Sequence, residues 1–350
     1  VPKLLPDGPI DTLGLRAAIA GLPDQLAQAD DVGPVGGLPP IGSVDHVVVV
    51  APGAARTAGE IARVLAAPVA TVPVLVHPGA LLPAFVTARS LVVVVSVDDD
   101  AVAQAALRTA IERGAATVVV APVDSRLANR GRAGGSSMVS TPVDVPVARA
   151  AAGALAVHLL ALLEQLGQYS GIESAVSAAV AQLERRRREL DGDDHAVARL
   201  ARRIGRTLPI VYGSDDLAGV AARHWKRRVN LDAKAAAFAG SLPDIAWDEL
   251  SGWGQHGDMT RQVFTMVTLR HDHEPTGTEA TMRVVEELVE EVVHERHEVA
   301  AEGNGPLAQV LDLVFQGDVL SWHLAQELEI DPGPTAAITA VWSGWEIPRR

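Results

Sequence analysis

Glu249, His271, His273, Arg149 and Ser96 are the side chains in this sequence with the best claim to chemistry. Glu249 is a carboxylate in LPDIAWDELSGW, reached after an apolar strand, a Gly turn and a helix that begin at Leu208. In a desolvated cleft such a group, its pKa raised, can take a proton from one atom and return it to another. The bland counterpart is a surface Glu that opens a helix. His271 and His273 form a His-x-His in TLRHDHEPTG, which suits metal ligation with a third partner or plain loop polarity. Arg149 opens the Ala-rich segment PVARAAAGALAV, where an ordinary Arg pairs with an Asp.

Two strand–loop–helix segments could hold an anion. In VVVVAPGAARTAGEIARVL a phosphate can rest on free backbone N–H groups at the helix start, with Gly53 at the turn. It is no dinucleotide fingerprint, because only Gly53 and Gly59 are present and the G-x-G-x-x-G spacing fails. In VVVVSVDDDAVAQ, Ser96 offers a hydroxyl, but Asp98, Asp99 and Asp100 follow it. One carboxylate 4 Å from a phosphate charge costs roughly 4 kcal/mol at an effective dielectric of about 20. The helix dipole returns only about 1 kcal/mol. Acids are good N-caps, so this loop is expected to cap a helix rather than grip a phosphate. A cation on the aspartates would be needed to reverse that.

The elements that must position these groups alternate. Val-rich runs at His46–Ala51, Val72–Val76, Leu91–Val97 and Thr117–Ala121 read as buried strands, with helices predicted at Thr57–Leu65 and Ala101–Arg113. Such runs separated by helices imply a parallel sheet covered on both faces. Leu13–Gln28 reads as short helices broken at Pro23, and Ala148–Leu166 as a long helix. Glu173–Arg203 reads as a charged helical connection broken at Gly192, its Glu184–Glu189 run a solvated face with i,i+4 ion pairs. A second α/β unit starts at Leu208, with a strand at Val263–Leu269 and a helix at Glu279–Ala301 that carries His294 and His297 on a solvated side. Two further helices follow, around Leu307–Leu328 and Thr335–Val341. The domain reading is therefore an N-terminal helix and loop over 1–43, a first α/β domain over 44–166, a charged connection over 167–204 and a second α/β domain over 205–350.

Composition excludes several classes. The chain has 350 residues, 48% of them hydrophobic and 21% charged, which is globular. A net charge of −13 argues against nucleic-acid binding, and the absence of cysteine excludes disulfides and thiolate metal sites. Val1–Pro9 places Pro and Asp where a secretory signal needs an apolar core. The longest apolar run, Ala150–Leu163, contains His158 and falls short of the roughly 20 residues a membrane helix needs. A cytoplasmic protein with no membrane contact is expected.

The stretch Leu208–Trp253 and the C-terminal GDVLSWHLAQELEIDPGPTAAITAVW resemble the bifunctional phosphoglucose/phosphomannose isomerases, built from two sugar isomerase (SIS) domains. The resemblance implies two SIS-type domains, each a central parallel sheet flanked by helices, in a homodimer with clefts near the subunit interface. It implies a sugar phosphate or related carbohydrate derivative as ligand, with no cofactor and no metal. On it, Glu249 is the base that shuttles a proton between C2 and C1, His273 opens the sugar ring, Arg149 steadies an enediolate, and Gly53 and Ser96 contact the substrate. The chain departs from the family at Ala54 and Ala55, at the aspartates after Ser96, at Trp247 and Asp248 before the Glu, and at Trp342 in place of a Lys. Isomerase activity is therefore expected to be altered or lost. An active glucose-6-phosphate/mannose-6-phosphate isomerase using Glu249, and a non-catalytic partner-binding protein of sugar metabolism, stay open.

Overall fold

The computed structural model describes residues 9–29, 33–98, 100–141 and 147–343. Asp99 and the opening residues 1–8, both read above, lie outside them. The described residues form two compact units, one holding Gly21–Val180 and the last helix, the other the first helix and Ala181–Thr335. The division falls inside a helix of the charged connection.

The first helix, α1 (Leu15–Ala20), thus belongs with the second half. In the first-half unit, α2 (Leu22–Ala29) follows a break at Gly21 rather than at Pro23. Pro23 sits in the first turn of α2, where its missing N–H leaves no bond unmade. The chain then runs β1 (His46–Val50), α3 (Arg56–Ala66), β2 (Val74–His77), β3 (Ser90–Val95), α4 (Ala101–Glu112), β4 (Ala116–Pro122), α5 (Arg126–Ala133), β5 (Ser137–Thr141) and α6 (Ala152–Gln165). The strands make one parallel sheet in the order β2-β1-β3-β4-β5. Every residue of β3 is buried, as its unbroken Val run requires. β5 and α5 have weaker signals, a mixed SMVST and a polar RLANRGRA. Ser125 caps α5 by accepting from the Ala128 N–H, and Gly131 lets the helix lie where a Cβ would come 2.8 Å from Val119.

Helix α7 (Ile172–Glu189) passes from one unit into the other. The second-half unit continues with α8 (Ala196–Ile204), β6 (Leu208–Gly213), α9 (Asp216–Arg228), β7 (Phe238–Ser241), α10 (Asp244–Trp247), α11 (Gly257–Val263), β8 (Phe264–Arg270), α12 (Thr278–Val289), β9 (Glu295–Ala300) and α13 (Pro306–Glu327). The last helix, α14 (Ala336–Ser343), groups with the first half. This second sheet is also parallel, ordered β7-β6-β8-β9.

Two readings need correction here. The helix expected over Glu279–Ala301 ends at Val289, and ERHEVA forms edge strand β9, paired with β8 from Thr265↔Glu295 to Arg270↔Ala300. Charged side chains suit an edge strand, which they protect from further pairing, so helix-like charge spacing misled. His297 is consequently no helix-face residue; its Nε2 lies 2.9 Å from Glu295 on the same strand.

The Glu184–Glu189 run is not wholly a solvated face either. Arg186 is buried and forks onto fully buried Asp312 of α13, Nε at 2.8 Å and Nη2 at 2.9 Å. Asp312 also accepts from Gln182, Gln316 and the Glu302 N–H. Burial opposes the Arg186 charge, but Asp312, Glu302 and Glu189 raise its pKa well above the ordinary value.

Glycine sets the approach of α9 to the second sheet. A Cβ on Gly213 would fall 2.3 Å from the Gly219 nitrogen, and one on Gly219 would fall 2.8 Å from Ser241. Only bare backbone permits that contact. On the other side of α9, Trp225 packs where a Cβ on Gly317 would strike its ring, and donates to the Leu313 carbonyl at 2.8 Å.

Candidate functional site

All strands of each sheet point the same way, so the loops after them gather at one carboxyl edge, where α/β folds place their ligands. In the second-half unit, this edge carries Ser214 and Asp215 after β6, Glu249 beyond β7, and His271, His273 and Glu274 after β8.

Glu249 begins a short 3-10 turn, Glu249–Gly252, and is exposed. Its position is nonetheless held from below. Tyr212, the fully buried penultimate residue of β6, donates from its hydroxyl to Glu249 Oε2 at 2.8 Å. Trp253 Nε1 donates in turn to the Tyr212 oxygen at 3.4 Å. Gly240 on β7 leaves room for this, since a Cβ there would stand 3.0 Å from Glu249 Oε1. Burial, followed by the bond to Glu249, raises the Tyr212 pKa above its ordinary value, so the phenol remains a donor. Trp247 and Asp248, which precede it, are both exposed.

The two histidines separate by burial. His271 is buried; its Nε2 meets Asp215 Oδ1 at 2.9 Å, and its Nδ1 accepts from the His273 N–H at 3.1 Å. An accepting Nδ1 places the proton on Nε2, donated to Asp215. Asp215 also caps α9 through the Ala218 N–H at 2.9 Å. His271 is therefore a built-in strut with both ring nitrogens occupied, whereas His273 is exposed. Beside them Arg270 forks onto Glu274, both bonds 2.7 Å. Burial pushes the Glu274 carboxyl up, but Arg270, the Ser214 hydroxyl and the His271 N–H hold it below its ordinary value. No group of three or more metal-binding side chains converges among the described residues.

The first-half unit brings Gly53, Ser96 and Arg149 to its own carboxyl edge. Gly53 opens a 3-10 turn with φ +49°, a left-handed value that favours glycine. That turn packs on Ala148–Ala151, the 3-10 turn that carries half-buried Arg149. Ser96 follows β3 and is buried. Its hydroxyl donates to Asp98 at 3.4 Å and accepts from the Asp100 N–H at 3.4 Å. Asp100 caps α4, accepting from Val102 N–H at 2.6 Å and Ala103 N–H at 3.2 Å. Burial raises the Asp100 carboxyl pKa; the two N–H groups oppose the rise and Asp98 adds to it. The amides that could hold an anion at this helix start are already bound to the protein's own carboxylate. Trp342 lies on α14, half exposed.

Tyr212 and Asp215 were not singled out from sequence. The signal for Tyr212 was a hydroxyl inside a buried strand, which must find a partner. Asp215 had the form of an N-cap before a helix.

Residues 194–342 match the bacterial phospho-glucose isomerase C-terminal SIS domain. A bifunctional phosphoglucose/phosphomannose isomerase from Caldicellulosiruptor bescii is 26% identical over 194 residues, 54% of this chain and 57% of that one. One from Aquifex aeolicus is 28% identical over 142 residues, 41% of this chain and 43% of that one. The chain thus spans about half the length of the curated relatives it matches. The C-terminal domain of glucosamine-fructose-6-phosphate aminotransferase from Francisella tularensis superposes with a TM-score of 0.73 at 13% identity, covering 91% of this chain and 98% of that one. The fold is that of SIS-domain proteins, two parallel sheets flanked by helices. Residues 194–342 carry that SIS domain, and the chain is similar, at low identity, to bifunctional phosphoglucose/phosphomannose isomerases.

Proposed function

We propose that this protein binds a phosphorylated sugar or related carbohydrate derivative, with aldose–ketose isomerisation altered or lost. The observation that carries the altered chemistry in this reading is Asp100 on the Val102 and Ala103 amides, with Ser96 tied to Asp98 and to the Asp100 N–H. The loop that the family uses to grip phosphate satisfies itself here, and its acids repel a dianion. The Gly53 turn and Arg149 beside it offer anion-attracting groups at the same edge.

A second reading, an active isomerase, is favoured by the bond that holds Glu249. A proton shuttle between C2 and C1 needs a carboxylate fixed in direction, and Tyr212 supplies that constraint. Exposed His273 would then serve ring opening, and Arg149 the enediolate.

Purified protein assayed with fructose 6-phosphate, glucose 6-phosphate and mannose 6-phosphate separates the readings. The proposal expects a thermal shift with these sugars and weak or no turnover. Turnover at the rate of a working isomerase, abolished by Glu249→Gln, would replace it with the second reading. No thermal shift at saturating sugar phosphate would point instead to a partner-binding role.

A further inference from the structure

The second-half unit holds a cavity of about 420 Å³ that none of the loops above touches. It opens between α1, the end of α7 and α13. Phe315, Val319, Leu190 and Ile19 make its lining largely apolar, together with the Trp322 ring. Its lining also includes Arg16, Arg187 and Arg188, with one carboxylate, Asp191. Among the lining side chains arginines thus outnumber carboxylates, on a chain whose net charge is −13.

The three arginines differ in how they are held. The Arg16 guanidinium lies 4.6 Å over the Trp322 ring, donates to the Gly192 carbonyl and faces Asp193 at 3.5 Å. Arg187 donates to the Ala20 carbonyl at 3.2 Å. Arg188 is exposed and has no hydrogen bond or ion pair among the described residues. The lining includes His323, whose Nε2 is taken by His195 Nε2 at 3.1 Å.

These features select a ligand chemistry. A cation would meet the arginines, and a neutral apolar molecule would gain nothing from Arg188. A bare phosphate would leave the wall wet. We propose that this cavity binds a small amphipathic organic anion, its apolar body on Phe315, Val319 and Leu190 and its anionic head on Arg188 and Arg187. The size is within the range of small-molecule sites, and the planar Arg fork suits carboxylate or phosphate. An acyl carboxylate and a nucleoside monophosphate share this chemistry.

Anilinonaphthalene sulfonate, a fluorescent anion with an apolar body, is the probe. The native protein should bind one probe per chain, and Arg188→Glu should weaken binding by about tenfold while the melting temperature holds. Val319→Phe, which fills the cavity, should also weaken it. Displacement by octanoate or by adenosine monophosphate tells which source the site prefers. The proposal is overturned if Arg188→Glu leaves probe affinity unchanged, or if neither anion competes. It is equally overturned if fructose 6-phosphate displaces the probe, because the cavity would then belong to the sugar site.

Discussion

The Tyr212 hydroxyl and the Glu249 carboxylate stand 2.8 Å apart, a buried strand residue holding an exposed acid at the sheet's carboxyl edge. The two substitutions that probe this pair have opposite signatures. Glu249→Gln keeps an acceptor for Tyr212 and should leave stability within about 0.5 kcal/mol, while removing any isomerase turnover. Tyr212→Phe should cost about 1 kcal/mol and lower any turnover through kcat more than KM, since it frees the carboxylate without touching the ligand. Urea unfolding and steady-state kinetics on both variants check this. A full loss of stability in Glu249→Gln would show that the acid is mainly structural.

Stability should fall in mildly acidic solution. Burial, then His195 and Arg16, depress the His323 pKa to about 4, and burial with Arg16 depresses that of His195. A depressed imidazole is neutral when folded and takes up its proton on unfolding. Its contribution is therefore complete above the ordinary value of 6.5 and is lost as pH falls toward about 4. The full shift is worth about 3 kcal/mol. Urea midpoints at pH 7.5 and 5 should differ, and His323→Gln should flatten the difference.

Asp312→Ala should be among the most damaging single changes. It strands buried Arg186 together with the Gln182 and Gln316 amides that now donate to the carboxylate. A loss of about 3–5 kcal/mol is expected, read as a lowered urea midpoint. The paired change of Arg186 and Asp312 to Met and Leu should recover much of it, because an apolar pair needs no charge partner.

Gly213→Ala tests the seating of α9. The new Cβ would lie 2.3 Å from backbone that cannot rotate away, so α9 must lift from β6. The expected cost is about 3 kcal/mol. The shift should also disturb the Asp215–His271 bond, visible as a changed His271 signal in NMR. Gly36→Ala, with nothing within 4 Å of its Cβ, is the neutral control.

Much of the scaffold could be read from local pattern. Runs such as HVVVV and LVVVV have no polar face to expose, so they had to become central parallel strands. The acid that caps α4 was equally legible, because N-cap bonding is settled within three residues. Resemblance in Leu208–Trp253 pointed to the family and to Glu249.

What could not be read depended on partners distant in sequence. ERHEVA became a strand because β8 offered a free edge, not because of its own spacing. Arg186 left the solvent for Asp312, 126 residues away, and Glu249 gained its direction from Tyr212, 37 residues away. His271 was separated from His273 by Asp215 at the head of α9. A sequence specifies local conformation through sterics and nearby hydrogen bonds, but the burial of a charge or the aim of a carboxylate depends on which side chains packing brings alongside it.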